Sequence, residues 1–168
     1  MCQRFTIVRQ ICLWAVWGLL AGYFLSSPCQ AQTPTPTPEP NVVKVSHLDD
    51  LNFSAYSGSG NVSLEDPVCV YNSAGSSYSV TFFEPSNSFL MSAGANTLPF
   101  HVRFKESNGS YVTFSPNQTT VFSGADTSSQ SCGGSDNAVY EISLQQSQLL
   151  AARPGSYSGS VTLIVGQP

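Results

Sequence analysis

Phe100, Val102 and Phe104 alternate without a break with His101, Arg103 and Lys105. A period of two puts the apolar residues on one face and the charged ones on the other, which a strand does and a helix cannot. Tyr140, Ile142 and Leu144 alternate with Glu141 and Ser143, and Val161, Leu163 and Val165 alternate with Thr162 and Ile164. These three segments are expected to be core strands. Tyr78, Val80 and Phe82 repeat the pattern, although Phe83 carries the apolar run onto the second face. Val42 to Ser46 and Val68 to Tyr71 read as earlier strands, the second ending in the turn residues Asn72-Ser73-Ala74-Gly75. Ser88 to Met91 and Tyr111 to Phe114 read as shorter ones, and only Gln145 to Arg153 suggests a helical turn, stopped by Pro154-Gly155. About seven short strands separated by turn signals predict an all-β, two-layer sandwich, with a closed barrel as the alternative.

The chain ahead of these strands is of a different kind. Arg4 and Arg9 precede an uncharged apolar run from Ile11 to Leu25 and a short polar segment ending at Ala31, the order of a secretory signal peptide. The run is shorter than the roughly 20 residues that cross a bilayer comfortably. Residues 1–31 are therefore expected to be removed between Ala31 and Gln32, leaving no membrane insertion. Residues 32–41 follow as a spacer in which Pro34, Pro36, Pro38 and Pro40 remove alternate backbone donors and favour an extended polyproline conformation. The β domain is expected over residues 42–168.

Loss of the leader would take Cys2, Cys12 and Cys29 with it and leave Cys69 and Cys132. In an oxidising compartment two such cysteines are expected to join as a disulfide. The leader also carries two of the six basic residues, so Lys44, Arg103, Lys105 and Arg153 face all ten acidic ones. A chain this acidic has no basic stripe for phosphates, and nucleic acid is not an expected partner.

Chemistry is sparse. His101 shares its face with Arg103 and Lys105, which reads as a solvated imidazole rather than a catalytic base. His47 precedes Asp49-Asp50 in a loop, which reads as a solvated acidic loop rather than a cation site. Glu65-Asp66 are adjacent acids on an extended chain and are expected to point apart, not to face each other across a glycosidase cleft. Gly58-Ser59-Gly60 and Cys132-Gly133-Gly134 lack the ending of a phosphate loop and read as turns. No catalytic residue, metal ligand set or cofactor is expected, and the chain does not read as an enzyme.

Three segments carry a resemblance: Leu48-Asp49-Asp50-Leu51-Asn52-Phe53, Val68 to Tyr71 followed by Tyr78 to Phe82, and the ending Ala152-Arg153-Pro154-Gly155-Ser156-Tyr157 leading into Val161 to Val165. With them the chain resembles the spore coat protein U-like domain family, secreted pilin subunits assembled by the archaic chaperone–usher route. The resemblance implies an immunoglobulin-like sandwich lacking one strand. It also implies a gap filled first by a periplasmic chaperone and then by the N-terminus of the next subunit, by β-augmentation. An outer-membrane usher and other pilus subunits would be the further partners, and the periplasm or a cell-surface fimbrium the location. On this reading Val43 and Val45 belong to a donor strand, while Val161, Leu163 and Val165 border the acceptor groove. The proline-rich spacer stands where much of a donor should be. That departure fits a subunit that accepts a strand but donates poorly, or a secreted relative that does not polymerise. The alternative function is a self-contained secreted domain that binds carbohydrate or protein on a Pro/Thr stalk.

Overall fold

The computed structural model describes residues 41–168. The expected signal peptide and all but the last residue of the spacer lie outside the described residues.

The chain folds as two antiparallel sheets facing each other. The larger has the order β1-β2-β9-β6-β7 and uses Val43–Ser46, Val62–Asn72, Ala138–Leu144, His101–Glu106 and Val112–Phe114 respectively. The smaller has the order β10-β3-β8 and uses Thr162–Gly166, Tyr78–Phe83 and Thr119–Phe122. A hairpin of β4 (Leu90–Ala93) and β5 (Asn96–Pro99) stands apart from both, and the one α-helix among the described residues, α1, is short (Gln146–Ala151). The architecture is the immunoglobulin-like sandwich expected, not a barrel, and the described residues hold ten strands because β5 and β8 add to those legible in the sequence.

The period-two segments form the core as their pattern requires. Val102 and Phe104 of β6 and Val80 of β3 are fully buried, and Phe82 is nearly so. Phe82 reaches across the sandwich to the rings of Phe104, Phe114 and Tyr140, whose centroids lie 6.3, 5.0 and 6.4 Å away. Tyr78 meets Phe104 edge-on at 6.4 Å. Phe83, which ends the apolar run of β3, turns outward. Pro67 is accommodated inside β2 because it falls where β9 pairs on one side and β1 does not yet reach the other.

Cys69 of β2 and Cys132, in a 3-10 turn ahead of β9, are joined by a disulfide with their Cα atoms 5.7 Å apart. Side chains complete the backbone pairing nearby. The Asn137 amide accepts from Val70 N and donates to Val70 O, each at 2.8 Å, and so stands in for a strand neighbour. Asn72, the buried last residue of β2, donates to Ser77 O at 2.6 Å and accepts from Gln167 Nε2 at 2.8 Å, tying the segment after β10 to the start of β3.

Candidate functional site

β10 is the last strand of the chain and an edge strand. It pairs with β3 from Thr162↔Phe83 to Gly166↔Ser79, and no strand among the described residues pairs with its other edge. Its alternation is the one predicted: Val161, Leu163 and Val165 turn inward, Thr162 and Ile164 outward. Their burial nevertheless differs from that of the other core strands. Inward residues of β3, β6 and β9 are less than a tenth exposed, whereas Val161, Leu163 and Val165 are only half-buried.

For Val161 and Leu163 the reason is a groove of about 1170 Å³ beside β10; Val165, expected to border it, is not among its lining residues. Val161 and Leu163 line one side, residues 48–56 line another, and Phe82, Phe100, Tyr140 and Ile142 provide an apolar floor drawn largely from both sheets. Residues 48–56 form no strand, yet Leu51 and Phe53 lie inward and pack on the core while Asn52 and Ser54 face out. This segment is pinned near its start. Asp49 N donates to the buried Asp66 carboxylate at 2.9 Å, and the Tyr140 hydroxyl donates to Asp49 O at 3.0 Å. Burial first, then the negative charge of Asp66, raises the Tyr140 phenol well above the ordinary tyrosine range.

The approach to β10 is built by the Pro-Gly-x-Tyr segment. The Tyr157 hydroxyl donates to Arg153 O at 2.9 Å and closes the turn. Ser158 then exchanges two backbone hydrogen bonds with Ser92 of β4, at 2.8 and 3.0 Å. Gly159 passes so close to β4 that a Cβ there would lie 2.9 Å from the Leu90 carbonyl oxygen.

The remaining candidates fall elsewhere. Val43 and Val45 lie in β1, paired with Asn72 and Val70 of the same chain. Asp66 is buried and Glu65 exposed, so these neighbours do point apart. His47 pairs with Asp136 at 2.6 Å rather than with Asp49 or Asp50. No cluster of three or more metal-ligating side chains occurs among the described residues.

The charged outer face of β6 departs from expectation. Arg103 grips Glu141 of β9 with Nε and Nη2 at 2.6 to 2.8 Å, and Glu141 is only 3% exposed. The Tyr111 ring lies against the pair, its centroid 4.6 Å from the Arg103 guanidinium carbon and 4.4 Å from Lys105 Nζ. His101 is half-buried instead of solvated, and its Nε2 is shut from solvent without a partner. Alternation located these residues on one face. It gave no sign that Tyr111, from the β6–β7 turn, would cover them.

No family model matches the chain, and no curated protein matches it. Among solved structures it is similar to a chain of a chaperone–tip adhesin complex described in the biogenesis of CFA/I fimbriae, with a TM-score of 0.51 and 11% identity. The match covers 75% of this chain and 42% of that one, so this chain spans less than half the length of its structural neighbour. At that identity the likeness establishes a shared fold, the pilin-like β-sandwich.

Proposed function

We propose that this chain is an exported structural or adhesive subunit that receives a β-strand from a partner in the groove beside β10. The observation that carries the proposal is the half-burial of Val161, Leu163 and Val165 on a strand with one unpaired edge. An extended segment bonded to that edge would complete the sheet, and its alternate apolar side chains would cover the floor. The partners of this reading are a periplasmic chaperone during folding, an outer-membrane usher, and a neighbouring subunit in the fibre. Val43 and Val45 would join a donor strand only by leaving β2. The prolines ahead of them make this chain a better acceptor than donor. Removal of residues 1–31 in the periplasm, or on the way to the cell surface, belongs to the same reading, and no chemical step is assigned to the chain.

Parity along β10 provides the test. The chain is exported with its own leader, its new N-terminus is read at Gln32, and synthetic peptides with apolar residues at alternate positions are added. Uptake is expected to raise the unfolding temperature. Leu163→Asp, which puts a charge into the groove, should abolish uptake, whereas Ile164→Asp on the outer face should leave it within about twofold, the scale of ordinary surface substitutions. Equal uptake by both variants, or none by the parent chain, would sink the proposal.

A further inference from the structure

The outer face of the larger sheet carries a second depression, of about 350 Å³, separate from the groove. Its lining residues are polar apart from Leu144, although their carbon atoms supply more than half of the exposed lining. Ser63 of β2, Ser143 of β9 and His101 of β6 stand in one cross-strand row; Glu65, Glu141, Arg103 and Thr113 of β7 stand in the next, with Glu65 outside the lining. Asn61 and Gln145 close one end.

We infer that this depression is a saccharide-binding site for a neutral sugar. Three features select that class. The first is charge: among the described residues, the only charged side chains lining the pocket are Arg103 and Glu141, whose forked pair cancels and leaves hydrogen bonding as the main means of recognition. The second is unused capacity. None of the three arginine bonds to Glu141 uses Nη1, which keeps two N–H donors. The hydroxyls of Ser63, Ser143 and Thr113 and the amides of Asn61 and Gln145 both donate and accept, which complements a polyhydroxylated ring whose hydroxyls do the same. The third is rigidity. The site stands mainly on four adjacent strands, with only Asn61 and Gln145 from the ends of loops, and the ion pair is clamped beneath Tyr111, so little ordering is required on binding. The volume lies at the small end for ligand sites and suits one or two sugar rings.

The test uses the whole exported chain, fluorescently labelled, on an array of immobilised neutral and acidic oligosaccharides. Neutral glycans should be retained. Ser63→Trp and Thr113→Trp, exposed strand positions on opposite rims of the pocket, should each lower retention at least tenfold while leaving the thermal melt unchanged. Retention of no glycan, retention of acidic glycans only, or equal retention by the parent and both variants would each overturn the inference. The groove variant Leu163→Asp should bind glycans as the parent does, so failure of strand uptake and failure of sugar binding are read separately.

Discussion

Glu141 shows how far a residue's surroundings can depart from its place in a pattern. The alternation of β9 assigns it correctly to the outer face, where a carboxylate would ordinarily be solvated. It is buried because β9 has a neighbour on each side and because Arg103 and Tyr111 close over it. The hydrogen bonds that Arg103 donates to Glu141 are also the main reason the Arg103 pKa is raised. Truncation by Arg103→Ala should therefore leave an unpaired buried carboxylate and lower the unfolding free energy by about 2 kcal/mol, read from denaturant midpoints. An unchanged midpoint would mean that water replaces the guanidinium without penalty. The same closeness hid the second depression from sequence reasoning, since Ser63, Ser143 and Thr113 come from three strands whose register no local pattern reveals.

Among the elements, the strands most legible in the sequence were those with a strict period of two, β3, β6, β9 and β10. Their burial supplies the driving force for the fold, so pattern and structure agree. Shorter elements were harder to locate. The strand expected at Ser88 to Met91 falls instead at Leu90–Ala93, in register with Asn96–Pro99 across a turn where Gly94 takes a φ of +61°. Leu51 and Phe53 alternate as a strand would, yet no strand among the described residues pairs with them. The position of β10 depends on one close approach. Gly159→Val should force residues 158–160 off β4 and lower stability by about 1 to 3 kcal/mol, measured by equilibrium unfolding. A neutral outcome would show that the Ser92–Ser158 bridge does not hold the last strand in place.

For the molecule as a whole, three phenols set the response to alkali. Tyr78, Tyr111 and Tyr140 are all raised above the ordinary range, by burial first and then by Glu106, Glu65 and Asp66 respectively. A pKa raised in the folded chain means that the associated stability is whole below the unfolded tyrosine value of about 10 and is lost as pH climbs past it. Denaturant midpoints should therefore hold steady to about pH 9 and fall by about pH 11, with tyrosinate absorbance from these three residues arriving only on unfolding. Early ionisation in the native state, with no loss of midpoint, would contradict the burial seen here. The disulfide has a mechanical consequence. Cys69 and Cys132 are 63 positions apart and enclose β3, the strand on which β10 rests. A chain under tension from its two ends could unravel its flanks, but the enclosed loop would bear no load until the sulfur bridge parted. The strand that seats β10 would thus be shielded from pulling forces applied along the backbone, and the chain would yield in short steps when oxidised and in a longer one when reduced.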